Sequence, residues 1–172
     1  MPKIIENVRE QLLNEAKRQI ESNGYSKTTI RSVAGACGLA TGTVYNYFSS
    51  KDMLIASFML DDWNECLDKI KGGSNGSAKE LMSSIYEFTL EFIGKHRSLF
   101  EDADAIKSFN SSHNSRHSIL RSQIAAIIYP VCKKGGKDPK FLSEFIAESL
   151  LCWTIEGKSF DEIYSVLQML FE

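Results

Sequence analysis

The chain has 172 residues, 43% of them apolar, 24% charged and 10% aromatic, with a formal net charge of −2. That length suits one ordinary domain or two small ones sharing a core, and the near-average composition excludes disordered, collagen-like and coiled-coil readings. No apolar run reaches the ~18 residues of a membrane span, and Met1–Glu10 lacks the basic-then-apolar order of a secretory signal. Cys37, Cys66, Cys132 and Cys152 form no CxxC pair. A soluble cytoplasmic protein with free, mostly buried thiols and no disulfide or zinc framework is expected.

Apolar residues recur at three- and four-residue steps without sustained alternation, which predicts an all-α chain. The first helix is expected from Lys3 to Ser22, with Ile5, Val8, Leu12, Leu13, Ala16 and Ile20 on one face, ending at Asn23-Gly24. Two short helices follow, near 28–36 and 40–48, then a long one from Ser50 to Lys71 that ends in a Gly72–Gly76 loop. Ser77 and Glu80 make a capping box that opens a helix to Lys95. A helix over 97–108, a Ser/Asn-rich loop over Ser108–Ser115 and a helix over 115–134, kinked or shortened by Pro130, come next. Asp138-Pro139 opens a helix closed by Gly157, and a second capping box, Ser159 with Glu162, opens the last one.

Those last two helices are apolar on more than one side. Phe141, Phe145, Leu150, Leu151 and Trp153 on the first, with Ile163, Leu167 and Leu170 on the second, suit the interface of a homodimer. The competing arrangement is a terminal hairpin sunk in its own protomer's core.

The near-neutral total charge hides its distribution. Residues 1–51 carry seven basic and four acidic side chains, whereas residues 52–172 carry 13 basic and 18 acidic ones. No acidic residue lies between Glu21 and Asp52. Duplex DNA repels carboxylates and rewards Lys and Arg through counterion release, so a DNA-facing head of this kind is expected. A second acid-free stretch, Ala105 to Lys137, carries six basic residues, of which Lys133 and Lys134 close a helix.

Within the head, residues 28–48 fit a helix-turn-helix. A Thr caps its first helix, Ala34 is small where two helices cross, and Gly38 falls where the tight turn needs a left-handed residue. Leu39 and Val44 then point inward, and Thr41, Gly42, Thr43, Tyr45 and Asn46 outward. Hydroxyls and an amide without an acid suit a major-groove reader.

This segment resembles the DNA-binding signature of the TetR/AcrR regulators. The matching residues are Gly24-Tyr25, the Thr opening the second helix, Val33-Ala34, Gly38, Thr41-Gly42-Thr43-Val44-Tyr45 and the run Phe48 to Leu54. The resemblance implies a helix-turn-helix DNA-binding domain over 1–51 and a helical regulatory and dimerisation domain over 52–172. It further implies base reading by Arg31, Thr41, Gly42, Thr43 and Tyr45, and phosphate clamping by Thr28, Thr29, Tyr45, Tyr47 and Lys51, with Asn46 on the same face. Tyr47 stands where many relatives have His, and Gly35 is a departure inside a helix. The implied mechanism is a bacterial repressor that binds a palindromic operator as a homodimer and is released by a small effector. A DNA-bound adaptor acting through a protein partner, with no effector, is the alternative.

A pocket for an apolar or amphipathic effector can be drawn from Met59, Trp63, Met82, Tyr86, Phe88, Phe92 and Phe109, although ordinary core explains the same residues. His113 with His117 and His96 is a weak metal pattern. Lys107, Arg116 and Arg121 suit an anionic effector or a solvated face, and Cys37 suits a redox switch or a small core residue. No nucleophile elbow, phosphate-cradling glycine motif, HExxH or carboxylate pair is present, so no enzyme, cofactor, metal or membrane partner is expected.

Overall fold

A computed structural model describes residues 7–73, 76–110, 113–133 and 138–171. Among these residues there are ten α-helices and no strand: α1 (Val8–Asn23), α2 (Ile30–Ala36), α3 (Thr41–Tyr45), α4 (Lys51–Gly73), α5 (Ala78–Lys95), α6 (Arg97–Phe100), α7 (Ala103–Asn110), α8 (His113–Lys133), α9 (Pro139–Ile155) and α10 (Phe160–Leu167). A 3-10 turn, Gln168–Leu170, follows. No helix among them is long and apolar enough to cross a membrane.

Several boundaries differ from expectation for local reasons. Residues 97–108 form two helices because the Asp102 carboxylate accepts the backbone N–H groups of Asp104 and Ala105, at 2.9 and 3.0 Å, and restarts the chain as α7. The supposed loop at 108–115 is largely helical, since α7 reaches Asn110 and α8 begins at His113. α8 runs through Pro130 to Lys133. Pro130 and Ala126 are both exposed, so the carbonyl that the proline ring leaves without a donor lies on the wet side of the helix. α4 continues through Gly72 and Gly73, and α3 is shorter than the 40–48 span expected of it. Lys3 and Ile5 lie outside the described residues.

Two compact units divide the chain: Met1–Asp62 with His96–Ser111, and Trp63–Lys95 with Ser112–Glu172. The division therefore falls within α4, beyond Lys51, and α6 and α7 group with the N-terminal helices. In the first unit Leu12, Ala16 and Ile20 of α1 meet Val33 and Ala34 of α2, Val44 of α3, Phe48, and Leu54, Ile55 and Phe58 of α4. Leu99 and Ala105, from α6 and α7, complete this core. Leu12, Val33 and Val44 are fully buried, which contributes about 1.5–3 kcal/mol each. Asp62 is buried beside two partners, with Lys17 Nζ at 2.9 Å and His96 Nε2 at 3.0 Å.

In the second unit the core is built from Trp63, Leu67 and Ile70 of α4, Met82, Ile85 and Phe92 of α5, Ile124 and Ile128 of α8, Ile146, Ala147 and Leu150 of α9, and Leu167 of α10. Both expected capping boxes form: Ser77 with Glu80, and Ser159 with Glu162. Asp138 accepts from the N–H groups of Lys140 and Phe141 at the start of α9, and Gly157 ends that helix at φ +79°.

Candidate nucleic-acid interface

The N-terminal unit holds the helix-turn-helix. Thr29 caps α2 by accepting the Ser32 N–H at 3.0 Å, while Ser32 Oγ accepts the Thr29 N–H in return. Ser32 also donates to Gln19 Oε1 at 2.6 Å. Gln19 in turn bonds Glu15, whose carboxyl is held below its usual range by Arg18 and then by Gln19. This chain of polar contacts fixes the start of α2 on α1. The turn is closed by Gly38 at φ +66° and by the Leu39 N–H donating to Ala34 O at 2.9 Å. α3 follows with Val44 as its buried anchor and Leu39 packed alongside the same core.

The expected DNA-facing residues divide into two groups. Arg31, Gly42, Tyr45, Asn46 and Tyr47 are exposed, the two tyrosines by 54% and 49%, and Thr41 and Thr43 are half-buried beside them. The second group is turned inward or already engaged. Thr28 is buried and donates its hydroxyl to Gly24 O at 2.9 Å, so it closes the α1–α2 loop instead of presenting a hydroxyl outward. Thr29 is exposed, but its oxygen holds the helix cap. Lys51 lies over the Tyr25 ring at 3.5 Å and donates to Tyr25 O at 3.0 Å, and burial pulls its ammonium below the ordinary value.

Gly35 is exposed, and a Cβ on it would meet nothing within 4 Å. Among the described residues no helix approaches Gly35 closely enough to require a glycine. The same holds for Gly42, so packing within the chain does not require either glycine. Lys27 is exposed just ahead of α2, and its place in the acid-free run is the signal that marks it as a further candidate contact. Cys37 is half-buried, donates to Gln11 O at 3.7 Å and has its thiol pushed up by burial, which favours the small packing residue over the redox switch.

Residues 12–58, spanning α1 to the first part of α4, match the bacterial regulatory proteins of the tetR family. Over these residues the chain is similar to the DNA-binding segment of that family. The chain is similar to the transcriptional regulator UidR of Escherichia coli K12, 26% identical over 95 residues covering 54% of this chain and 48% of that protein. It is also similar to the uncharacterized regulator YvdT of Bacillus subtilis, 37% identical over 76 residues covering 44% and 39%. The matched segment thus spans about half the length of these curated relatives or less. The fold extends further. A TetR-family regulator from Pectobacterium atrosepticum superposes with a TM-score of 0.69 at 18% identity, covering 94% of this chain and 91% of that one. FadR of Thermus thermophilus, a TetR-family repressor in complex with lauroyl-CoA, gives 0.62 at 17% identity, covering 95% and 92%.

In the second unit, the residues expected at a dimer interface separate by face. Phe141, Phe145 and Trp153 follow one stripe of α9 and are 67%, 45% and 50% exposed; Val166, Met169 and Leu170 extend the apolar surface at the C-terminal end. Phe145, Ser149 and Trp153 line a groove of about 310 Å³ together with Ile163, Val166 and Leu167. Leu150, Leu151, Ile163 and Leu167, expected at the same interface, are instead buried in the protomer, each at most 5% exposed. The two helices thus bury part of their apolar surface in their own protomer, as the hairpin alternative has it, and leave Phe141, Phe145 and Trp153 exposed.

The residues drawn together as an effector pocket are largely packed. Trp63 and Phe92 meet edge to face at 5.3 Å, Trp63 Nε1 donates to Gln123 Oε1 at 2.8 Å, and Met82 is fully buried. Tyr86 is half-buried against Phe160 at 5.7 Å, and Phe88 lies beneath Lys69. Met59 packs on the core of the first unit and does not join this group. The side chains of Phe109, His113 and Arg116 lie outside the described residues. His96 is bound to Asp62 in the first unit, whereas His117 and Arg121 in the second unit both approach Glu148.

Proposed function

We propose that the chain represses transcription by binding a palindromic operator as a homodimer, and that a small amphipathic ligand releases it. The N-terminal unit is the DNA reader, and the second unit senses and dimerises. The observation that carries the DNA reading is the exposed face of Arg31, Gly42, Tyr45, Asn46 and Tyr47 inside a run without carboxylates. Arg31 suits a bidentate contact to guanine, and the tyrosine hydroxyls suit phosphates. Two such faces must lie ~34 Å apart to enter successive major grooves. The exposed Phe141–Trp153 stripe supplies a self-complementary apolar surface for the second copy.

The ligand class is suggested by the Thermus thermophilus repressor complexed with lauroyl-CoA. A ligand that binds the DNA-incompetent state more tightly shifts the population and releases the operator. The packing of Trp63, Met82 and Phe92 favours a second reading, an effector-free adaptor that docks a protein partner through its exposed apolar face.

Fluorescence anisotropy on DNA from upstream of the protein's own reading frame, at fixed salt and with lauroyl-CoA added, separates these readings. Salt-dependent binding that weakens on adding the acyl thioester supports the ligand-gated repressor. Binding indifferent to it supports the adaptor, and no binding to that DNA or to a palindrome-enriched library overturns both.

A further inference from the structure

A second constellation lies away from the DNA-facing surface. His117 of α8 faces Glu148 and Cys152, which are one turn apart on α9. His117 Nε2 is 3.0 Å from both Glu148 oxygens, Cys152 Sγ is 3.2 Å from Glu148 Oε1, and Sγ and Nε2 are 3.9 Å apart. One donor atom from each of the three residues falls within 4.8 Å of the others.

We infer that His117, Glu148 and Cys152 form a binding site for a borderline divalent metal ion of the zinc class. A tetrahedral ion with bonds of about 2.0 Å to nitrogen and oxygen and about 2.3 Å to sulfur holds its ligand atoms about 3.3–3.5 Å apart. The three separations here, 3.0 to 3.9 Å, bracket that range, so rotamer adjustments of a few tenths of an ångström bring the donors into place. Imidazole, thiolate and carboxylate together suit zinc or cobalt over magnesium or calcium, which take oxygen alone. All three residues are half-buried, so none is sealed from solvent.

Arg121 is the adverse neighbour: its Nη1 is 3.7 Å from Glu148 Oε2, the far limit of an ion pair. Its buried Nε has no hydrogen-bond partner. Arg121 can keep one carboxylate oxygen while the metal takes the other. Binding displaces the thiol proton of Cys152 to solvent and pins α8 to α9, the helix that carries the exposed Phe141–Trp153 stripe. The site does not depend on the DNA or effector readings.

Cobalt(II) and zinc(II) titrations of the EDTA-treated full chain test it. One equivalent of cobalt is expected to give tetrahedral visible bands and a near-ultraviolet thiolate charge-transfer band, both abolished by zinc. Cys152→Ser removes the charge-transfer band, and Cys152→Ser and His117→Gln each weaken zinc binding at least tenfold, whereas Cys37→Ser leaves the spectrum unchanged. Circular dichroism confirms that each variant is folded, and zinc raises the Tm of the wild type but not of Cys152→Ser. A wild type without the charge-transfer band at stoichiometric cobalt, or a band that survives Cys152→Ser, overturns the site.

Discussion

The Tyr25 hydroxyl donates to Asp52 Oδ1 across 2.6 Å. This bond joins the loop after α1 to the first turn of α4, and Ser108 of α7 donates to the other oxygen of the same carboxylate, also at 2.6 Å. Ser26 Oγ reaches Asp104 at 2.7 Å alongside them. A carboxylate with two neutral donors in a half-buried site is a strong tie, because hydrogen bonds to a charged group contribute about 1.5–3 kcal/mol. Burial, and after it Asp52, pushes the Tyr25 hydroxyl above its ordinary value. Tyr25→Phe keeps the ring under Lys51 but removes the donor. It is expected to lower stability by about 1–2 kcal/mol in urea unfolding, while DNA affinity measured well below the midpoint changes little.

Arg31→Ala and Tyr45→Ala remove exposed side chains and are expected to leave the Tm nearly unchanged. Loss of a bidentate base contact at Arg31 is expected to weaken operator binding by about 1–3 kcal/mol, or roughly 5- to 150-fold. Thr28→Val does the reverse, because it deletes a buried hydroxyl bound to Gly24 O: stability falls by about 1 kcal/mol and affinity holds. Equal loss of affinity in all three variants contradicts this division.

Phe145→Glu combined with Trp153→Glu places charges on the exposed stripe of α9. Sedimentation is expected to show folded monomers that no longer bind a palindrome. Leu150→Ala acts inside the protomer, where loss of a fully buried side chain costs about 2–5 kcal/mol. Its signature is a lower Tm, not a dissociated dimer.

Gly35→Ala is expected to stabilise the chain by about 0.5–1 kcal/mol, since an exposed interior helix position gains propensity and the added Cβ meets nothing. Gly42→Ala is equally free of clashes within the chain. A loss of DNA affinity in Gly42→Ala with unchanged Tm marks Gly42 as the point of backbone approach to the groove.

The carboxyl of Glu162 is held down to about 2 by the Ser159 backbone N–H, the Ser159 hydroxyl and Lys158. A depressed carboxyl contributes stability above its unfolded value of 4.5 and loses it as pH falls toward about 2. Glu162→Gln is therefore expected to be less stable than wild type at pH 7, with the gap closing through that acid window. A gap independent of pH contradicts the assignment.

Much of this was legible in the chain itself. The Gly38 turn, the Val44 anchor, the capping boxes at Ser77 and Ser159 and the Asp138-Pro139 start each depend on residues within a few positions of one another, so local chemistry specifies them. Asp102 lies in the acidic run Glu101-Asp102-Ala103-Asp104, which reads as ordinary helix surface. Only its bonds to the Asp104 and Ala105 N–H groups reveal the restart.

The sequence by itself determined an all-α chain with a helix-turn-helix in an acid-free head, because periodicity, caps and turn glycines act over a few residues. Tertiary structure alone decided which expected contacts face outward. It turned Thr28 and Lys51 toward Tyr25 and its loop, and brought α6 and α7 back to the N-terminal helices. It also sorted Leu150 from Trp153 on one apolar helix, and set His117 beside Glu148 and Cys152. Such choices depend on which neighbours fill each side of a helix, and those neighbours lie tens of residues away in the chain.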